Sequence, residues 1–228
     1  MNNGGNIVVK KLKAFVAVFL LVLIVLAIFA VRGNSVKDLL TQYVPFLFQK
    51  QTDNVLSYKL DVEKELKKYG LEKFTPLLLA IMYQESRGEG QDLMQASESA
   101  GLKRNEIQDK QVSIQQGVYH FYQMYHLGIK NKVDLNTIIQ SYNMGPGYIE
   151  YVAENGSKHS EKLAKSYSEK QVKNHPDLYT CGGFKGNFRY PYCFGDYTYA
   201  EKVQTKFELL EKNMEKVNEG TISTKPKY

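Results

Sequence analysis

Hydrophobic and polar positions divide the chain into one unbroken apolar run and a series of helical stripes. Ala14 to Val31 is 18 consecutive apolar residues without charge, Gly or Pro. As a helix it extends about 27 Å, close to the hydrocarbon thickness of a bilayer. A core helix keeps a polar face over five turns, and this run has none. A cleaved signal peptide is the competing reading. The length of the run, and Arg32 in place of a clear small-residue cleavage site, favour an uncleaved anchor. Residues 1–13 are then a cytoplasmic segment, 14–31 a transmembrane helix and 32–53 a stalk interrupted by Pro45. Beyond it, Val55, Tyr58, Val62, Leu66 and Tyr69 recur at helical spacing, and Gly70 fits the C-cap. Thr75-Pro76 opens a second helix that is apolar on nearly every face from Leu77 to Tyr83, the mark of a central core element. Residues 88–101 read as a loop.

Further helices follow. Ile114, Val118, Phe121 and Tyr125 form one stripe, with Gly128 as the expected stop. Leu135 to Tyr142 is short and ends at Asn143-Met-Gly-Pro-Gly147. Tyr148–Glu154 and about Glu161–Lys173 are the next two, separated by the Gly156 break. Residues 181–195, rich in Gly and aromatics, form a second long loop. Tyr199, Val203, Phe207, Leu210, Met214 and Val217 mark the last helix, and residues 220–228 form a frayed tail. The expected fold class is mainly α: one helical domain over residues 54–219, with two long loops of the kind that often carry function.

Charge sharpens the topology. The chain has 30 Lys and Arg against 24 Asp and Glu. Lys10, Lys11, Lys13 and Arg32 carry four of those positive charges, and residues 1–32 hold no acid. The positive-inside rule therefore places the N-terminus in the cytoplasm and the domain outside. The remainder is nearly balanced, so composition gives no argument for a nucleic-acid partner.

Candidate chemistry narrows by elimination. There is no HExxH, GxSxG or P-loop. His120, His126, His159 and His175 show no ligand spacing, so neither a metal nor a cofactor is expected. Outside the cell Cys181 and Cys193 are expected to pair and close the Gly-rich loop, worth about 3 kcal/mol by chain entropy. Two unpaired thiols are the alternative.

Acid chemistry remains. Glu85 ends the most apolar helix, one turn after Ile81 and Met82. Burial against such surface disfavours the carboxylate and raises its pKa, which suits a general acid. The loop behind it supplies Asp92, Gln95, Ser97, Glu98 and Ser99, side chains that bind sugar hydroxyls and offer a second carboxylate. Glycoside hydrolysis needs that inventory. A helix end simply turning polar at Glu85-Ser86 is the plain alternative.

Four segments occur in order: Tyr83-Gln-Glu-Ser-Arg-Gly88, Asp92-Leu-Met-Gln-Ala-Ser-Glu-Ser99, Gln140-Ser-Tyr-Asn-Met-Gly145 and Tyr197-Thr-Tyr-Ala-Glu-Lys-Val203. Together they resemble the motifs of lytic transglycosylases and goose-type lysozymes. The resemblance is closest to the CwlT-like muramidase module of Gram-positive cell-wall hydrolases, many carried on conjugative elements, and covers about Val55 to Leu210. It implies a lysozyme-like helical fold and cleavage of the β-1,4 bond between N-acetylmuramic acid and N-acetylglucosamine. It carries the general acid onto Glu85 and cleft-lining roles onto Gln95, Tyr142 and Asn143, with Ser86 and Ser97 beside them and Tyr199 packed by the cleft. A second acid is Glu98, 13 residues after Glu85, or Asp92; transglycosylases often lack one. The implied partners are peptidoglycan and, for a conjugation or cell-wall machine, its other components. Hydrolysis is the expected outcome, with a transglycosylase or a non-catalytic peptidoglycan binder as alternatives. The sequence departs from the pattern at Ser141, where a small apolar residue is usual, and shows no C-terminal cysteine-peptidase module. It also has no Trp for sugar stacking, a role Tyr can fill.

Overall fold

A computed structural model describes residues 49–183 and 186–218. The expected cytoplasmic segment, the 14–31 anchor, most of the stalk and the 220–228 tail lie outside the described residues. No helix among the described residues is long and apolar enough to cross a membrane. The chain divides into two units, Met1–Lys50 and Gln51–Tyr228. Of the first, only the helical residues 49 and 50 are described.

The second unit is helical, with no strand among its described residues. Its helices are α1 (Lys59–Lys67), α2 (Thr75–Ser86), α3 (Lys110–Lys130), α4 (Leu135–Met144), α5 (Pro146–Glu154), α6 (Glu161–Asn174) and α7 (Tyr199–Asn218). Short 3₁₀ turns lie at Glu72–Phe74, Glu98–Ala100 and Cys181–Gly183. Three starts carry side-chain caps. Asp109 accepts from Val112 N, Asp134 from Thr137 N and Ser160 from Leu163 N, each satisfying an N–H that has no partner in the first turn.

Helix α2 is the central element. Every side chain from Leu77 to Tyr83 is buried, which explains why the sequence shows no polar face there. Its most extensive packing is against α7, through the stripe of Tyr199, Val203 and Leu210. At its C-terminus Arg87 turns left-handed, with φ 58°. That stop leaves Glu85 in the last turn, where buried core gives way to an open cleft.

One expected boundary is corrected. Gly128 does not end α3, which continues to Lys130. A Cβ at Gly128 would lie 2.4 Å from Ile138 Cγ1. The glycine is there so that α4 can approach α3, a packing demand indistinguishable from a C-cap in the sequence.

Candidate active site

A cleft of about 790 Å³ opens over the end of α2. It is lined by Gln95, Glu98, Ser99 and Arg104, by Tyr142, Asn143, Gly145 and Pro146, and by Tyr179, Arg189 and residues 193–195; Glu85 and His120 complete it. Glu85 is partly buried, and Tyr199 Oη donates a 2.5 Å hydrogen bond to its Oε1. Burial raises the Glu85 pKa to about 7. The Tyr199 bond and the Arg104 cation oppose that rise, and the charges of Asp92 and Asp196 add to it.

Glu85 rests on a row of phenols. Tyr199 is 2% exposed, and its ring lies parallel to that of Tyr142, with centroids 6.4 Å apart and planes 3° apart. Burial pushes both phenols well above the ordinary tyrosine range, so both stay protonated as donors. Tyr142 Oη donates to the Met94 carbonyl at 3.1 Å. Gly117 on α3 makes room for this arrangement. A Cβ there would lie 2.4 Å from Met94 Cβ and 2.9 Å from Tyr142 Oη. Gly117→Ala is therefore expected to destabilise the fold by about 1–3 kcal/mol, read as a lower thermal midpoint; an unchanged midpoint would show that Met94 moves aside freely.

The residues singled out in the sequence separate into two groups. Gln95, Glu98, Ser99, Tyr142 and Asn143 line the cleft with Glu85. Gln95 sits at a left-handed φ of 46°, and its Nε2 donates to the Asp92 carbonyl and to Asn105 Oδ1. Asn143 Oδ1 accepts from Asp196 N at 2.6 Å, tying the cleft to the start of α7. Gly195 packs beneath it, with no room for a Cβ between Met144 Cγ and Asn143 Oδ1.

The others lie behind the cleft surface. Ser86 Oγ donates to the Leu93 carbonyl at 2.6 Å, and Ser97 Oγ donates to Asp92 Oδ2 at 2.6 Å. Asp92, offered by the sequence as a second acid, is 5% exposed. Its carboxylate accepts from Ala96 N, Ser97 N, Ser97 Oγ and Ser113 Oγ. These bonds make it a brace for the loop. Ser141 is buried, and its hydroxyl donates to the Ile138 carbonyl at 2.7 Å, so the departure from a small apolar residue is accommodated locally.

The second long loop contains the Cys181–Cys193 disulfide, with Cα atoms 5.2 Å apart. Its base lines the cleft through Tyr179, Arg189, Cys193, Phe194 and Gly195. Within the loop Arg189 Nη2 donates to the Gly195 carbonyl, and Ser168 Oγ holds the Phe194 backbone on both sides. Sequence reasoning missed the cleft residues Arg104, His120, Tyr179 and Arg189. For His120 a signal existed: it lies one turn after Gly117, and a glycine inside a helix marks a close approach. Among the described residues no group of three His, Cys, Asp or Glu side chains gathers to hold a metal.

A lysozyme-like family profile matches residues 52–207, a span that includes Glu85, Tyr142, Asn143 and Tyr199. The chain belongs to the lysozyme-like family. It is 50% identical over 208 residues to the uncharacterized membrane protein YocA of Bacillus subtilis (strain 168), covering 91% of each chain. It is 32% identical over 155 residues to the bifunctional muramidase/DL-endopeptidase CwlT of the same organism, covering 68% of this chain and 42% of CwlT. A crystal structure of a protein similar to lipoprotein, NLP/P60 family, from Staphylococcus aureus subsp. aureus Mu50 superposes with a TM-score of 0.58 at 32% identity. That match covers 68% of this chain and 52% of the Staphylococcus chain, about half its length.

Proposed function

We propose that this protein is a peptidoglycan N-acetylmuramidase that hydrolyses the β-1,4 bond between N-acetylmuramic acid and N-acetylglucosamine. The observation that carries the reading is Glu85: a carboxyl with a pKa of about 7, held by Tyr199 in a cleft of about 790 Å³. At neutral pH a large share of such carboxyls keeps its proton, ready for the leaving oxygen. As the C1–O4 bond breaks, O4 takes the Glu85 proton and positive charge develops at the anomeric carbon. Exposed Asn143 and half-buried Gln95 face the sugars as hydrogen-bonding groups. Glu98 sits on the exposed 3₁₀ turn at the cleft rim, within reach of sugar hydroxyls. Likeness to the muramidase-containing CwlT supports the substrate class. The apolar 14–31 run supports a domain tethered outside the membrane at the wall.

Mass spectrometry of muropeptides released from purified peptidoglycan tests the reading. Hydrolysis gives reducing N-acetylmuramic ends. A lytic transglycosylase gives 1,6-anhydro ends, lighter by one water. Binding to peptidoglycan with no glycan cleavage would reject both and leave a binding protein.

A further inference from the structure

We infer that His120 is the base of the hydrolytic step, its Nδ1 taking a proton from the water that attacks the anomeric carbon. This rests on the muramidase reading and assigns a second reacting group to that site.

Three observations place it. His120 lines the same cleft as Glu85. Its Nε2 lies 2.9 Å from the Tyr142 carbonyl oxygen. A carbonyl only accepts, so Nε2 carries the proton and the neutral ring keeps its lone pair on Nδ1. Finally, the ring meets Tyr142 edge-on, with centroids 4.7 Å apart. Tyr142 stacks in turn on Tyr199, which donates to Glu85. His120 and Glu85 are thus the two ends of one chain of contacts, and neither touches the other directly. An inverting hydrolase keeps its acid and base apart, with room for water between them. Burial holds the imidazole below its ordinary pKa and therefore neutral before turnover. The Tyr142 carbonyl acts in the opposite direction and stabilises the imidazolium once formed.

The carboxylates suggested by the sequence are less suited to this task. Asp92 is fully hydrogen-bonded behind the cleft, and Glu98 stands in solvent at its rim. The water oxygen bonds to C1, its proton passes to His120 Nδ1, the C1–O4 bond breaks, and O4 takes the proton of Glu85. Solvent then removes the proton from His120 and restores the one on Glu85.

His120→Gln separates the two nitrogens. The glutamine amide can still donate to the Tyr142 carbonyl, but nothing replaces Nδ1. The expected result is a folded variant with kcat lowered about 10²–10⁴-fold and KM little changed. Sodium azide, a nucleophile that needs no base, should restore cleavage and give a glycosyl azide visible by mass spectrometry. Unchanged kcat would overturn the assignment, as would a loss that appears only in KM or a loss that azide does not relieve. So would the same azide-relieved defect in Glu98→Gln with His120→Gln active. If the variant fails to fold, ¹⁵N NMR of the parent decides instead: a proton on Nδ1 rather than Nε2 overturns the inference. Wild-type protein that makes no cut, or only 1,6-anhydro ends, would instead sink the muramidase reading itself.

Discussion

Glu85→Gln is expected to stop glycan cleavage and, above pH 7, to make the protein more stable. Removing a general acid costs typically 10²–10⁴-fold in rate, so reducing-end release from peptidoglycan should fall to near background. The amide keeps the shape of the side chain and can still accept from Tyr199 Oη, so the fold should persist. Activity of the parent should show the matching pH dependence. Glu85 acts while protonated, and with a pKa of about 7 its contribution is present below neutrality and is lost as pH rises through 7. Stability follows the same group with a definite sign. The native pKa of about 7 stands above the ordinary glutamate value of 4.5, so between those values the folded state binds more protons than the unfolded state. Stability is then fully present below about pH 4.5 and declines as pH rises towards 7. The total is on the order of 3 kcal/mol. Glutamine does not titrate and escapes this loss. Thermal midpoints of parent and variant should converge at pH 4 and separate at pH 8, with the variant higher. A variant that still cuts glycan would remove Glu85 from the mechanism; equal midpoints at pH 8 would show that its carboxyl is solvated.

Much of this site was legible because one feature, an apolar helix ending in Glu85, reports both burial and chemistry. The buried run Leu77 to Tyr83 and the helical stripes gave the fold class in the same way. The legible part stops where a residue's role depends on a partner distant in sequence. Asp92 and Glu98 are carboxylates in one polar loop, and nothing within that loop says which turns inward. The decision lies with Ser113 on α3, whose hydroxyl donates to Asp92 at 2.7 Å. His120 shows the same limit. Tested only for metal-ligand spacing, it goes unnoticed, because its significance comes from the Tyr142 carbonyl at the end of α4. The disulfide loop was visible as a loop, yet its position along the cleft depends on Asn143 and Ser168 holding the backbone that follows it. Gly128 was misread for a related reason: a glycine at a helix end and a glycine under a neighbouring helix look alike until Ile138 is placed against it.

The inward-turned carboxylate leads to the second large effect. Asp92→Asn should destabilise the fold by about 3 kcal/mol or more, since buried donors to a charged group lose their acceptor. Both Asp92 oxygens accept, from two backbone N–H groups and two hydroxyls. Those hydroxyls are already committed as acceptors, Ser113 Oγ from Met94 N and Ser97 Oγ from Ile107 N. Each carboxylate oxygen also takes a backbone N–H, which can only donate, so an amide nitrogen at position 92 faces a donor whichever way it turns. The urea midpoint should fall accordingly. A functional trace should accompany the loss. The Asp92 charge helps push Glu85 up, so the surviving folded fraction should lose activity at a lower pH than the parent. That combination, weaker folding with activity retained at mildly acid pH, belongs to a brace. A second catalytic acid would behave differently. Asp92→Asn that folds as firmly as the parent but is inactive at every pH would return Asp92 to the reaction.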